Sequence, residues 1–561
     1  MTIYRLAGSQ NESSIFDPPI PSSLEEIRRH YDNLSRRDGE IRQQLEFRNA
    51  RTGSLGDPLV PQVLTDLSER PAVCLIGDGT SFASHRIDTE NQAHARMIGA
   101  GCAEAGWRLF VGGAHGLLRH AIEGALEKGG SVVIITSPQT LERKVNAPVM
   151  NDFAGRLHMT AVAKTPDHVR EFLTTLADAF VIMPGGMNTL KTLSEVVTQH
   201  QLSQFAMNRS GGRKKPVFAY NESGFWDPTH DLIKAMTRQK LLSETHLDII
   251  HFKYSCEGVK EGLFAAMRTE LPLGKNWPSM QSPHMLMGFD SLILGMCHPD
   301  RRSVLNAMRG ISLENPLFFS HDTVIPAFPS GSDSPPFLNG EDVRVLVFSG
   351  ARNGKGDQYL KAGYDIGRMI AESGATLVNG GGNSGIMNAA IHGAHKSSGK
   401  IVAIVPIDIG LGKATSGNEG FNGHAINFVT DNMHWRKRAM GHVTDIVVLA
   451  PGGGFGSVEE FGGELYWNVV NSARAGKQIL VDNRYGLWDG LERQLEQAVK
   501  QGLMPPGIWS HTAFYGASAI AKFEADLKGE VARIRLVKTN PTPELPAYNR
   551  PGCASANHHP C

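Results

Sequence analysis

Two glycine runs, each closing a short apolar stretch, are the places in this sequence where backbone is suited to hold an anion. PGGGFGSVEEF (Pro451–Phe461) follows DIVVLA directly, and LVNGGGNSGIM (Leu377–Met387) is built the same way. A strand that ends in consecutive glycines and enters a helix presents unpaired N–H groups at the positive end of the helix dipole. That arrangement holds a phosphate without a charged side chain. No GKS or GKT follows PGGGFGSVEEF, so it is not a Walker loop, and it does not read GxGxxG. The spacing predicts Glu459 and Glu460 in the first turn of the next helix, either steadying the helix start or standing as carboxylates beside a bound anion. A third stretch, DNMHWRKRAM (Asp431–Met440), is basic and helical. Its Arg436, Lys437 and Arg438 are either a solvated face or cations reaching over a nucleotide, since arginine suits bidentate phosphate contact.

Such residues need strands and helices to aim them. From Pro71, short apolar runs alternate with helical stretches: PAVCLIGDGT (Pro71–Thr80), WRLFVGGAHG (Trp107–Gly116), SVVIITS (Ser131–Ser137), AFVIMPGG (Ala179–Gly186) and KPVFAY (Lys215–Tyr220). The same succession returns after residue 340, through VRVLVFSGAR (Val343–Arg352), ATLVNGGGNSG (Ala375–Gly385), KIVAIVP (Lys400–Pro406), DIVVLAPGGG (Asp445–Gly454) and KQILVDN (Lys477–Asn483). Pro184 and Pro451 are 267 positions apart, as are Asp178 and Asp445, and GFWDPTHDLIKAM (Gly224–Met236) matches GLWDGLERQLEQA (Gly486–Ala498). The repeat predicts an α/β protein of two tandem Rossmann-like domains, each a parallel sheet flanked by helices. The expected boundaries are a helical extension over 1–70, a first domain over 71–270, a connector over 271–340, a second domain over 341–530 and an extended tail over 531–561. In the extension, Ser23 and Glu26 read as a capping box.

Composition narrows the function classes. Lysine plus arginine equals aspartate plus glutamate at 56 each, so no basic excess points to nucleic acid. Glycine, 61 residues of 561, is in excess of ordinary usage, as expected where backbone turns tightly or meets ligand. The six cysteines have no CxxC spacing, which argues against a disulfide framework or a zinc site. The first residues lack a secretory pattern and no apolar run is long enough to span a bilayer, so the expectation is a cytoplasmic protein without membrane contact.

Three sets of residues carry a resemblance to a known family. Met433-His434-Trp435-Arg436-Lys437 fits MHxRK, and Asn379-Gly380-Gly381-Gly382 with Gly385-Ile386-Met387 fits a YGGG–GLM loop. Gly453, Gly454, Gly456, Ser457 and Glu460 fit PGGxGTxxE. Together they resemble the Lonely Guy (LOG) family, long labelled lysine decarboxylases, whose members are cytokinin-activating nucleoside 5′-monophosphate phosphoribohydrolases. The match covers about 341–530 and departs in two places: one extra glycine follows the proline, and Ser457 replaces threonine while keeping a hydroxyl. In the first half Asn188 stands where glycine is expected, and Lys191 and Thr192 occupy the two glutamate positions. Val169 takes the arginine position within Pro166–Arg170, and Val111-Gly112-Gly113-Ala114-His115 replaces the triple glycine. The resemblance therefore implies a catalytic second domain and a degenerate, catalytically silent first copy. LOG proteins form dimers with active sites near the subunit interface, which implies an intramolecular pseudo-dimer of the two halves, with or without a higher homo-oligomer.

The reaction so implied is hydrolysis of the N-glycosidic bond to free base and ribose 5-phosphate. Glu460 matches the family glutamate that would stabilise the oxocarbenium-like sugar and direct water, and Arg436 would engage the substrate. Gly380, Gly381, Gly382, Gly385, Gly453, Gly454, Gly456 and Ser457 would clamp the 5′-phosphate, with Met433 and Lys437 at the substrate and Glu459 at the ribose hydroxyls. No cofactor is implied. No metal is either, since His424, His434 and His442 lack ligand spacing. A non-catalytic nucleotide sensor or carrier with a LOG-like pocket is the rival reading. A pyridoxal-phosphate decarboxylase rests on the old label alone, because Lys413 and Lys437 have no Schiff-base context. Cytokinin riboside, purine and pyrimidine monophosphates present the same phosphate and ribose. Ala414–Ala425 is the candidate border of the base pocket, and Trp435 either stacks on the base or packs.

Overall fold

Runs such as AVCLI (Ala72–Ile76) and IVVL (Ile446–Leu449) are buried at every residue, the pattern of strands covered on both faces. A computed structural model describes residues 3–5, 71–77, 89–136, 153, 159–163, 169–170, 173–174, 177–210, 215–270, 293–297, 342–406, 425–430, 433–470 and 476–539. Of the expected helical extension over 1–70 only Ile3–Arg5 is described, and of the expected connector over 271–340 only Ile293–Cys297; both are strands, and most of Ala414–Ala425 lies outside the described residues.

After β1 (Ile3–Arg5), the first half forms β2 (Ala72–Ile76), β3 (Arg108–Val111), β4 (Ser131–Thr136), β5 (Met159–Ala163), β6 (Ala179–Ile182), β7 (Val217–Tyr220), β8 (Ile250–Lys253) and β9 (Ile293–Cys297). The second forms β10 (Arg344–Phe348), β11 (Thr376–Asn379), β12 (Ile401–Pro406), β13 (Ala425–Thr430), β14 (Ile446–Leu449), β15 (Gln478–Asp482) and β16 (Thr512–Tyr515). The sheets run β8-β7-β6-β2-β3-β4-β5-β9 and β16-β15-β14-β10-β11-β12-β13-β1, so the two orders correspond strand for strand until the last. Pairing is parallel throughout except that β9 runs against β5. The fold is α/β, with two tandem Rossmann-like units.

Helices fill the crossovers. In the first half they are α1 (Thr89–Glu104), α2 (Leu117–Glu127), α3 (Met187–Ser210), α4 (Asp227–Arg238) and α5 (Cys256–Glu270). In the second they are α6 (Gln358–Glu372), α7 (Gly385–Lys396), α8 (Met433–His442), α9 (Phe455–Val470), α10 (Asp489–Lys500) and α11 (Ile520–Thr539). No helix among the described residues is long and apolar enough to cross a membrane.

The last helix corrects an expectation, because the chain is helical to Thr539 where residues from 531 were read as extended. Phe523, Leu527 and Val531, spaced i, i+4, i+8, are buried, and Lys538 reaches Asp445 Oδ2 at 2.8 Å. That stripe and terminal ion pair hold the helix against the second sheet beyond the point where the polar tail begins.

The halves pack on one another through α3 against α9 and α4 against α10. One apolar cluster runs through both, including Leu190, Leu193 and Val197 from the first half with Phe455, Val458 and Phe461 from the second. Buried Gln494 on α10 accepts from Thr229 Oγ1 at 2.7 Å and donates to the Phe225 carbonyl at 3.0 Å. The exposed Arg493–Asp231 pair at 3.0 Å adds little, as solvent screens it.

Candidate active site

Strands β11 and β14, which end in the two glycine runs, flank β10. They are therefore separated by β10 rather than paired with each other. From β10 the chain moves outward through β11, β12 and β13, then returns to the other side of β10 as β14, so a switch point lies between β10 and β14. Crevices for ligands form at the carboxyl ends of such strands. The three loops there are joined: Gly350 N–H donates to the Gly452 carbonyl at 3.0 Å, and Met387 N–H donates to the Gly350 carbonyl at 3.2 Å. Asn379 Oδ1 accepts from Gly381 N–H at 2.9 Å while its Nδ2 donates to the Met387 carbonyl at 3.3 Å, tying both ends of the first glycine loop. Gly385 opens α7 at φ +65° against the Ala351 carbonyl group, where a side chain would be strained and would collide. Gly453 and Gly454 lead into α9, and a Cβ on Gly453 would strike the Ser457 side chain.

Glu459 and Glu460 sit one turn deeper than the sequence reading placed them. Helix α9 begins at Phe455, and its first turn carries no acidic residue, so the pair cannot be explained as neutralising the helix start. Glu459 is 2% exposed and pairs with Lys437 through Oε1; its Oε2 is buried without a hydrogen-bond partner among the described residues.

Arg436 and Lys437 are not a solvated face. Arg436 Nε donates to the Ile404 carbonyl at 3.0 Å, and Nη1 lies 3.6 Å from Glu460 Oε1, with both side chains about nine-tenths shielded. Gly380 makes room for this guanidinium, since a Cβ there would collide with Nη2. Burial pushes the Glu460 carboxyl above the ordinary carboxylate range; Arg436 and Lys437 pull it back and Glu459 adds to the rise. Burial alone would lower Lys437, but Glu459 and Glu195 outweigh it and hold the ammonium above its usual value. Gly380, Gly381, Gly382 and Gly385 belong to one loop at this edge and Gly453, Gly454, Gly456 and Ser457 to the other; the Arg436–Glu460 pair meets the first at Gly380, while a Cβ on Gly456 would stand 3.9 Å from Thr198 of α3. Met433 lies on α8, but its side chain, like those of His434, Trp435, Arg438 and His442, falls outside the described residues, as does His424 altogether.

The first half also reaches this place, which sequence reasoning missed. Leu241, just after α4, places its side chain 3.3 Å and 3.5 Å from where Cβ atoms on Gly354 and Gly452 would stand, and its carbonyl oxygen 3.7 Å from where one on Gly454 would. The loop after α10 answers it: a Cβ on Gly186 would collide with the Leu503 carbonyl. Lys191 of α3 lies along Gly462 and Gly463 of α9. At the corresponding place in its own half there is no glutamate pair. Arg170 lies 3.5 Å from Glu195 and donates to Asn188 Oδ1 at 3.3 Å, and Thr192 Oγ1 donates to the Asn188 carbonyl at 2.7 Å. The signal for Lys191 was the cation at a glutamate position; Leu241 leaves none, being one apolar residue after a helix. Ser349, at the end of β10 between the glycine loops, is a further missed residue: its Oγ is buried without a hydrogen-bond partner among the described residues.

Among the described residues, Glu90, His94 and Glu222 bring ligand-capable atoms within 4.8 Å of one another in the first half. Tyr220 ties two of the three together: its hydroxyl bonds His94 Nδ1 and donates to Glu222 Oε2 at 2.6 Å.

Known proteins resemble this chain in both halves. A family model described as "Possible lysine decarboxylase" matches residues 118–263, and one described as "SLOG cluster4 family" matches residues 343–468. A cytokinin riboside 5′-monophosphate phosphoribohydrolase of Rhodococcoides fascians is 30% identical over 191 residues, which is 34% of this chain and 88% of that protein. A probable cytokinin riboside 5′-monophosphate phosphoribohydrolase of Oryza sativa subsp. japonica is 30% identical over 163 residues, 29% of this chain and 63% of that protein. Among solved structures, the molybdenum cofactor carrier protein of Chlamydomonas reinhardtii matches at 18% identity and a TM-score of 0.25, covering 34% of this chain and 99% of that one.

Proposed function

The chain belongs to the Lonely Guy (LOG) family, and we propose that its second half is a nucleoside 5′-monophosphate phosphoribohydrolase. The observation that carries this reading is the buried Arg436–Glu460 pair at 3.6 Å, set beside two glycine loops at the carboxyl edge of the sheet. An anion-binding cradle alone suits any phosphate ligand. A shielded carboxylate held next to it, with its affinity for a proton raised, suits a reaction in which the sugar becomes cationic.

In this reading the amides opening α7 and α9 hold the 5′-phosphate, helped by the Ser457 hydroxyl. Anchoring that remote group fixes C1′ of the ribose near Glu460. As the C1′–N bond lengthens, positive charge grows on the sugar ring and the Glu460 carboxylate stabilises it and orients the attacking water. Water supplies OH to C1′ and a proton to the departing base, giving ribose 5-phosphate and free base. Arg436 steadies the negative charge of the nucleotide or of the leaving base. Glu459 presents its unpartnered Oε2 to a ribose hydroxyl while Lys437 occupies Oε1. Met433 completes the substrate contacts.

The test is incubation of the full chain with a panel of nucleoside 5′-monophosphates and the matching nucleosides, reading base and ribose 5-phosphate by chromatography. Release from monophosphates alone is expected. Tight nucleotide binding without release from any of them would overturn the reading in favour of a carrier or sensor.

A further inference from the structure

Leu241, whose side chain and carbonyl approach the glycine loops of the second half, follows a residue in the left-handed region: Lys240 stands at φ +56°. A residue with a Cβ is disfavoured there, and glycine is the usual residue where a helix ends in this way. The turn is a Schellman closure of α4. Lys240 N–H donates to the Thr237 carbonyl at 2.9 Å, and the N–H groups of Leu241 and Leu242 donate to that of Met236 at 2.9 Å and 3.2 Å.

The other half closes α10 with the same turn and the usual residue. Gly502 stands at φ +70° and donates to the Val499 carbonyl at 3.0 Å, while Leu503 and Met504 donate to that of Ala498 at 2.9 Å and 3.2 Å. Each turn lies on the glycine loop of the opposite half. The Leu503 carbonyl fills the place that a Cβ on Gly186 would need, and the Leu241 carbonyl lies 3.7 Å from where a Cβ on Gly454 would stand. The two turns therefore match in hydrogen bonding and differ in what they face. Gly502 adjoins the loop into α3, where Lys191 and Thr192 hold the glutamate positions; Lys240 adjoins the loop into α9, which carries Glu459 and Glu460. A strained lysine is kept against the half whose carboxylates are intact, and a relaxed glycine stands against the half that has lost them.

Lys240 is exposed, and among the described residues its side chain makes no hydrogen bond or ion pair. Leu241 and Leu242 beyond it are buried, which fixes the turn. A phosphate monoester carries about −1.5 to −2 charges at pH 7, whereas the cradle proposed for it offers neutral amides and one hydroxyl. Lysine supplies the missing cation on a flexible four-carbon stem.

We propose that Lys240, carried by the first half, binds the 5′-phosphate of a nucleotide held in the second half's site. The inference rests on the phosphoribohydrolase reading for the identity of that phosphate. The first half is then a donor of a substrate ligand to the other half, and the backbone strain at 240 is the cost of placing it.

The experiment compares full-length wild type with Lys240→Gly, Lys240→Asn and Lys240→Arg. Glycine relieves the backbone, asparagine tolerates it, and arginine keeps the charge. On the monophosphate that the wild type cleaves fastest, KM should rise about tenfold in Lys240→Gly and Lys240→Asn, with kcat within about threefold, as for loss of one charged phosphate contact. Lys240→Arg should keep KM within about threefold of wild type. Added salt should raise the wild-type KM more steeply than that of Lys240→Gly, because it screens the contact the variant lacks. The Tm of Lys240→Gly should equal or exceed that of wild type, since the left-handed position now holds a residue suited to it. A merely structural lysine predicts the reverse, a lower Tm with KM unaltered. A wild-type KM in Lys240→Gly, or an equal rise in Lys240→Arg, would overturn the inference.

Calorimetry with ribose 5-phosphate needs no turnover and separates this inference from the reading beneath it. Affinity should fall about tenfold in Lys240→Gly. Equal affinity in the two proteins, or no binding to wild type, overturns the phosphate contact. Should the wild type bind ribose 5-phosphate and yet release no base from any monophosphate, the functional reading fails, and the calorimetric comparison decides the role of Lys240.

Discussion

Arg436 Nη1 lies 3.6 Å from Glu460 Oε1, and each side chain is almost wholly shielded from water. Neither charge is tolerable there alone, because a buried ion deprived of its partner keeps the desolvation cost and loses the compensation. Arg436 is also fixed through Nε to the Ile404 carbonyl, so its guanidinium offers one edge to the scaffold and another to the site. Arg436→Lys keeps the charge and loses this fork. Its kcat should fall about a hundredfold, the scale of one misplaced electrostatic contact, with Tm nearly unchanged. Steady-state kinetics beside a thermal melt would check this, and a rate within about threefold of wild type would show that the fork is not needed.

The glycine at 380 is a packing device for that arginine. In Gly380→Ala the new methyl would occupy the place of Nη2. A long side chain yields before backbone does, so the expected result is a folded protein with Arg436 displaced from Glu460. Stability should drop by about 1–3 kcal/mol, as for other overpacked sites, and base release should be lost. Unfolding in urea and turnover on the same preparation would separate the two effects.

Glu460 also sets a pH dependence. Its carboxyl binds a proton more tightly in the fold than in the unfolded chain, where carboxylates titrate near ~4.3. A group raised in this way favours the folded state below its unfolded value, and that contribution is lost as pH rises through the folded value. Glu460→Gln removes the charge that is costly at neutral pH. Leaving Arg436 without its partner costs stability at every pH, so the sign lies in the difference: the Tm of Glu460→Gln relative to wild type should be higher at pH 7 than at pH 4, the opposite of what loss of an ordinary stabilising carboxylate does. Paired melts across this range would read the sign directly.

Contact between the halves can be weakened without touching the site. Gln494 satisfies both Thr229 Oγ1 and the Phe225 carbonyl in a buried place. Gln494→Leu leaves both without a partner and should destabilise the protein by about 2 kcal/mol, within the range for buried polar groups stripped of their bonds. Urea titration followed by tryptophan fluorescence is suited to it, because Trp226 and Trp488 are both fully buried.

Much of the fold was legible because its strands are covered on both faces. AFVI at Ala179–Ile182 and IVVL at Ile446–Leu449 read as continuous apolar runs, and their glycine ends mark the carboxyl edge. The depth of the glutamates was misread because the extra glycine after Pro451 hides where α9 begins. Arg436 and Lys437, standing in a run of polar residues, were legible only as either a solvated face or cations over a nucleotide. Only the return of Ile404 and Glu460 in space buries the one and pairs it. The helical end of the chain was obscured by the polar residues that share α11 with Phe523, Leu527 and Val531. Leu241 was beyond reach for another reason: it meets the opposite half, and no local pattern records a contact between residues so far apart in sequence.

The most direct measurement is turnover and nucleotide affinity of Glu460→Gln against wild type, using whichever monophosphate the wild type cleaves. The substitution is nearly isosteric and removes only the charge, so binding should stay within a few-fold while base release disappears. Turnover within about tenfold of wild type, equivalent to ~1.4 kcal/mol of barrier, would contradict the assignment of Glu460 as the group that stabilises the sugar cation.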